Sequence, residues 1–121
     1  MLLRFDHVQL AMPAGDDAER RAESFYGGVL GLVRLPKPDA LAARGGCWFG
    51  NPTVALHLGV EDPFLAARKA HPALVVDDID GLASTIEAAG GDVRWNHELP
   101  DVRRFHTDDP FGNRLELIAG P

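Results

Sequence analysis

Phe5-Asp6-His7-Val8-Gln9-Leu10 reads as a short apolar strand carrying a histidine, and Ala70-His71-Pro72-Ala73-Leu74-Val75-Val76 reads the same way. Each is followed, some fifty residues on, by a polar residue inside another apolar strand: Val54-Ala55-Leu56-His57-Leu58 and Arg114-Leu115-Glu116-Leu117-Ile118. His7 and His71 are 64 residues apart, and His57 and Glu116 are 59 apart. Gly31 and Gly90, each placed to stop a helix, are also 59 apart. A shortening of five residues between the first strand and the helix end of the second half accounts for all three offsets. The chain therefore reads as two copies of one module, with three imidazoles and one carboxylate at matching points. Such a repeat predicts one site built about an internal two-fold axis.

Working outward, each half predicts the order β-α-β-β-β. In the first half a strand over about 3–12 puts Phe5, His7 and Gln9 on one face and Val8 and Leu10 on the other, because side chains alternate along a strand. Pro13-Ala14-Gly15 ends it. Asp16 or Asp17 is placed to cap a helix reaching Leu30, with Ala18, Ala22, Phe25 and Val29 as its apolar stripe. Strands follow near Val33–Leu35, Cys47–Phe49 and Thr53–Gly59, with a loop or broken strand from Pro36 to Gly46 and a hairpin turn at Gly50-Asn51-Pro52. In the second half a strand at about 71–77 leads to Asp78 as helix cap. Ile79, Leu82, Ala83 and Ile86 give the stripe, and strands follow near 92–96, 102–108 and 113–119. Asp109-Pro110-Phe111-Gly112-Asn113 suits a tight reversal. The expected boundaries are a first module over about 1–60, a linker over 60–69 and a second module over about 70–121, together one domain.

The 121 residues suffice for one domain with a sizeable core, and 45% hydrophobic with 25% charged residues is ordinary for a globular chain. The net charge of −6, with no basic run, argues against nucleic acid as a partner. No stretch approaches the roughly 20 apolar residues of a membrane span. The lone Cys47 excludes an internal disulfide, and no leader pattern is visible, so a cytoplasmic setting is expected.

Asp6-His7-Val8, Ser24-Phe25-Tyr26 with Val29-Leu30-Gly31-Leu32, His71 through Asp78, and Asp109 through Leu117 together resemble the vicinal oxygen chelate superfamily. That group includes glyoxalase I, extradiol dioxygenases, fosfomycin-resistance transferases and bleomycin-binding proteins. The resemblance covers nearly the whole chain. It implies an α+β fold of two tandem βαβββ modules whose curved mixed sheets enclose a cavity, with helices on the outer face. It also implies a homodimer, in which each chain closes its own site or two chains exchange modules.

His7, His71 and Glu116 match the superfamily's metal positions, and His57 stands where glyoxalase I-like members carry a fourth ligand, usually Glu or Gln. Two or three imidazoles with a carboxylate suit a divalent ion of the Fe, Mn, Ni, Co or Zn group. His57 is either a fourth ligand or an acid or base behind the ligands. Strand parity puts Gln9 on the face of His7 and Arg104 on the face of His106, and the resemblance, in which a Tyr pointing into the pocket often stands at the place of His106, implies that these faces line the cavity. Arg104 is suited to hold a substrate oxyanion, and His106 to move a proton. Trp48 walls the pocket by the superfamily's spacing. The reading that follows is a metal-dependent enzyme of the glyoxalase (lyase or isomerase) type, acting on a small metabolite with two adjacent oxygens. An Fe(II) extradiol-type dioxygenase and a metal-free drug- or metabolite-binding protein are the alternatives.

Overall fold

A computed structural model describes residues 1–121. The chain divides into two compact units, Met1–Ala66 and Ala67–Pro121. Each contains a four-stranded mixed sheet and a helix in the order β-α-β-β-β, so the fold is α+β with two βαβββ modules.

The first module contains β1 (Val8–Met12), α1 (Asp16–Ala22), β2 (Val33–Leu35), a short α2 (Asp39–Ala42), β3 (Cys47–Gly50) and β4 (Ala55–Val60). Its strand order is β1-β4-β3-β2, with β1 parallel to β4 and the other pairs antiparallel. β1 is shorter than the alternation predicts. Pairing with β4 starts at Val8 opposite Leu56, and Phe5 is left exposed.

The helix departs from expectation at both ends. Gly15, not Asp16 or Asp17, occupies the N-cap position, and no side chain caps the first turn. After Ala22 the winding loosens into a π-helical segment, Glu23–Val29. A wider turn carries more residues per revolution, so the buried stripe runs Ala18, Ala22, Tyr26 rather than through Phe25. The segment holds Gly27 and Gly28, which weaken an α-helix by roughly 1 kcal/mol each relative to Ala. It packs against β2 and β3. Tyr26 is fully buried against Phe49 of β3, ring centroids 5.6 Å apart. Arg34 of β2 ties the helix down through Glu19 (2.9 Å) and Glu23 (3.0 Å).

Alternation then sorts the strands. Cys47, Phe49, Leu56 and Leu58 are buried with Met12, Ala18, Ala22 and Tyr26 in the core, while Trp48 and His57 point to the opposite face. The Cys47 thiol is pushed up to about 11 by burial, with the nearby carboxylates of Glu19 and Glu23 adding to the effect and Arg34 opposing it. Asn51 makes the β3–β4 hairpin: its side-chain oxygen accepts from the Thr53 and Val54 N–H groups at 2.9 and 2.7 Å.

The second module contains β5 (Ala73–Val76), α3 (Ile79–Ala88), β6 (Arg94–Asn96), β7 (Arg104–Asp108) and β8 (Arg114–Ala119). The order β5-β8-β7-β6, with β5 parallel to β8, repeats the first sheet. Asp78 caps α3 as expected, accepting from Gly81 N–H at 2.9 Å. Ile79, Ala83 and Ile86 are buried on the helix, as are Phe105, Leu115 and Leu117 on the sheet, and α3 packs against β8. The reversal between β7 and β8 is closed by Asp109, whose Oδ1 accepts from Phe111 and Asn113 N–H, both at 2.9 Å. No helix is long and apolar enough to cross a membrane.

Candidate functional site

The face of each sheet opposite the buried Leu and Phe side chains carries a cluster of polar and aromatic groups. In the first module it is a stack of rings. His7 lies just before β1, and His57 sits mid-strand on β4, flanked by Gln9 of β1 and Trp48 of β3 in the two ladders. The His57 imidazole is sandwiched, 4.2 Å from His7 at 18° and 4.0 Å from Trp48 at 5°. His7 Nδ1 is 2.8 Å from Asp6 Oδ2, which leaves Nε2 as the free ring nitrogen. His57 is only 8% exposed. Burial lowers its pKa below the ordinary value, and the neighbouring His7 charge lowers it further. The Gln9 side chain crosses Gly59, where a Cβ would come within 2.6 Å of its Nε2.

The second module holds a hydrogen-bonded cluster instead. His71 comes from the segment before β5, His106 from β7 and Glu116 from β8, with His106 and Glu116 directly opposite each other. Glu116 N–H donates to Pro72 O at 3.1 Å, fixing the His71 segment to β8. His71 Nδ1 lies 2.8 Å from Lys69 O. A carbonyl only accepts, so Nδ1 carries a proton and Nε2 is the nitrogen that faces Glu116 Oε1, at 2.9 Å. His106 Nε2 is 3.4 Å from the same oxygen. Arg104 Nη1 donates to Glu116 Oε2 at 3.1 Å, and Nη2 donates to Asn96 Oδ1 at 3.1 Å. Arg104 Nε is buried without a partner.

Burial alone pushes the Glu116 carboxyl up, but hydrogen bonds from His71 and Arg104 outweigh it and hold the pKa below the usual value. His106 is lowered by burial first and then by the positive charge of Arg114. One potential ligand atom each from His71, His106 and Glu116 falls within 4.8 Å of the others. Imidazole nitrogens and a carboxylate oxygen are a donor set that a divalent transition ion accepts. The Arg104 contact fixes the carboxylate through the oxygen turned away from the imidazoles, as residues behind a metal ligand commonly do.

Of the residues singled out in the sequence, His7, Gln9, Trp48 and His57 are thus brought together in the first module, and Arg104, His106, His71 and Glu116 in the second. Three supporting groups were missed. Asp6 adjoins His7 in sequence and was legible as its partner. Asn96 needs the register of β6, which composition does not give. The Lys69 carbonyl is backbone and leaves no trace in residue type.

The family model of the glyoxalase-like domain matches residues 12–118. The chain belongs to that family. As a glyoxalase-like protein it is a member of the vicinal oxygen chelate superfamily. Among solved structures it is similar to a putative glyoxalase family protein from Bacillus anthracis, 42% identical, with a TM-score of 0.93 over 100% of this chain and 98% of that one. The fold is shared with the fosfomycin resistance protein FosX from Listeria monocytogenes, 14% identical, with a TM-score of 0.78 over 100% of this chain and 96% of the other. A structure of that FosX protein complexed with Mn(II) and sulfate also matches, at 14% identity and a TM-score of 0.78, over 100% of this chain and 93% of that one. No curated protein matches the glyoxalase-like chain.

Proposed function

We propose that this glyoxalase-like protein is a divalent-metal-dependent enzyme of the lyase or isomerase type, acting on a small metabolite that carries two adjacent oxygens. The observation that supports it is the Glu116 carboxylate, held below its usual pKa and facing His71 Nε2 at 2.9 Å. A bound ion of the Fe, Mn, Ni, Co or Zn group supplies a Lewis acid for negative charge that develops on substrate oxygens. His71 and Glu116 are metal-binding residues in this reading. His7 and His57 are assigned the same role from their places in the repeat. Burial keeps His57 and His106 largely neutral near pH 7, the form that takes up a proton or offers a lone pair to a cation. Arg104 orients Glu116 and places a guanidinium where a substrate oxyanion gains from it. Gln9 and Trp48 line the substrate side of the first module.

The test begins with metal content after purification without added metal, followed by titration with Mn(II), Ni(II), Zn(II) and Fe(II). Uptake of an ion supports the enzyme reading. A chain that neither carries nor takes up a transition metal is instead a metal-free binding protein. Activity is then separated by three assays on the loaded chain: loss of a hemithioacetal, opening of the fosfomycin epoxide, and oxygen consumption with catechols under Fe(II). The last assay reads the dioxygenase alternative, which imidazole and carboxylate donors also suit.

The assembly we propose is a homodimer in the cytoplasm. The exposure of Met1, Leu2, Leu3 and Phe5 supports it, since exposed apolar groups gain from being covered. Light scattering should give twice the 13.1 kDa of one chain.

A further inference from the structure

The two modules differ at one register position. In the first sheet the residue facing His57 across the β3–β4 ladder is Trp48. In the second sheet the residue facing Glu116 across the β7–β8 ladder is His106. An indole has no lone pair to give a metal, and an imidazole does. We propose that His106 is itself a ligand, so that the second module presents a three-donor metal site made of His71 Nε2, His106 Nε2 and Glu116 Oε1. This deepens the metal-dependent reading above and rests on it.

The distances carry the argument. An ion with bonds of about 2.1 Å holds neighbouring ligand atoms about 3.0 Å apart in an octahedron and about 3.4 Å apart in a tetrahedron. Glu116 Oε1 lies 2.9 Å from His71 Nε2 and 3.4 Å from His106 Nε2. The second separation is long for an N–H···O hydrogen bond, so Glu116 is not what satisfies the His106 ring. It falls instead at the edge length that a shared ion imposes. One potential ligand atom from each of the three residues lies within 4.8 Å of the others, so the three side chains converge on one region.

The surroundings fit the same assignment. His106 and Glu116 stand on paired strands, and His71 is tied to β8 through Pro72 O, so no donor rests on a free loop. The Lys69 carbonyl fixes the tautomer that turns Nε2 of His71 inward. Arg104 occupies Oε2 of Glu116 and leaves Oε1 to the two imidazoles. The His71 and His106 rings meet edge to face, 5.3 Å between centroids at 81°, so the rings do not block each other by stacking. In the first module the equivalent ring, Trp48, stacks flat on His57 instead.

The experiment uses the full chain and Zn(II) and Cu(II) as probes. Calorimetric titration with Zn(II) should show affinity at least tenfold weaker in His106→Gln than in the unaltered chain. Pulsed electron paramagnetic resonance of the Cu(II)-loaded chain counts coordinated imidazoles, and the count should fall by one in His106→Gln, as in His71→Gln. A second measurement needs no variant. In the unaltered chain, Zn(II) should move the Nε2 nitrogen resonances of His71 and His106 together. Unchanged affinity and imidazole count in His106→Gln, or a His106 resonance that stays still while that of His71 moves, overturns this assignment and leaves the metal-dependent reading standing. A chain that takes up neither ion overturns both.

Discussion

Replacing Glu116 with Gln removes one negative charge from a group of four side chains and changes almost no volume. The Glu116 carboxylate is 10% exposed, lies 2.9 Å from His71 Nε2 and accepts from Arg104 Nη1, whose side chain is 15% exposed. A charge-assisted hydrogen bond of this kind contributes roughly 1.5–3 kcal/mol, and removing one partner leaves the other charge poorly solvated. The variant without metal should therefore lose about 2 kcal/mol of stability. With a urea slope of about 2 kcal/mol per molar for a chain of this size, the unfolding midpoint drops by about 1 M. Metal adds a second reading in the same assay. At a free Mn(II) concentration of 100 times its dissociation constant, the unaltered chain gains about 2.7 kcal/mol. Loss of about 100-fold in affinity leaves the variant a gain of only about 0.4 kcal/mol at that concentration. The measurement is urea unfolding followed by circular dichroism, with and without Mn(II). A Glu116→Gln chain that matches the unaltered midpoint and gains the full metal increment refutes the assignment of Glu116 as a ligand.

Three further outcomes follow from the same structure. His57 and His106 have folded-state pKa values below the ordinary one, so below about pH 6.5 the unfolded chain binds protons that the folded chain refuses. Stability of the metal-free chain should fall as pH drops from 7.5 to 5.5. The lowered Glu116 carboxyl adds a further loss below about pH 4.5, and a flat profile of urea midpoints against pH contradicts this. Asp78→Ala removes the cap of α3 and should cost about 1 kcal/mol in the same unfolding assay. Gly46→Ala should cost more, roughly 2–3 kcal/mol, because Gly46 has φ +89° and a Cβ there would stand 2.2 Å from the Leu58 carbonyl oxygen. A variant at Gly46 with an unchanged midpoint would show that the β3 entry is looser than described.

The duplicated β-α-β-β-β order was legible because it rests on long-range spacing, which a one-residue error in any strand does not disturb. The second half was also legible in detail, since Asp78 and the Asp109–Asn113 turn act through local hydrogen bonds. The first half was less so. Its helix starts at Gly15 without a side-chain cap and loosens into a π-helical segment at Glu23, and neither event has a residue-type signature strong enough to compete with a regular 3.6-residue period. That is why Phe25 was expected inside and Tyr26 is found there. The segment before β1 illustrates the limit of alternation: Phe5 fits the pattern but has no strand beside it. In the candidate site, parity alone grouped Arg104 with His106. It could not reveal that both converge on one carboxylate, because that follows from the β7–β8 register.

The Cys47 side chain gives the first sheet a built-in clock. With its thiol at about 11, only roughly one molecule in ten thousand carries a thiolate at pH 7, and that sulfur is walled in. Alkylating reagents therefore wait for the wall to part. The speed at which a disulfide dye or maleimide marks this chain, the sole cysteine making the signal unambiguous, counts how often the strand and its covering helix come away from each other.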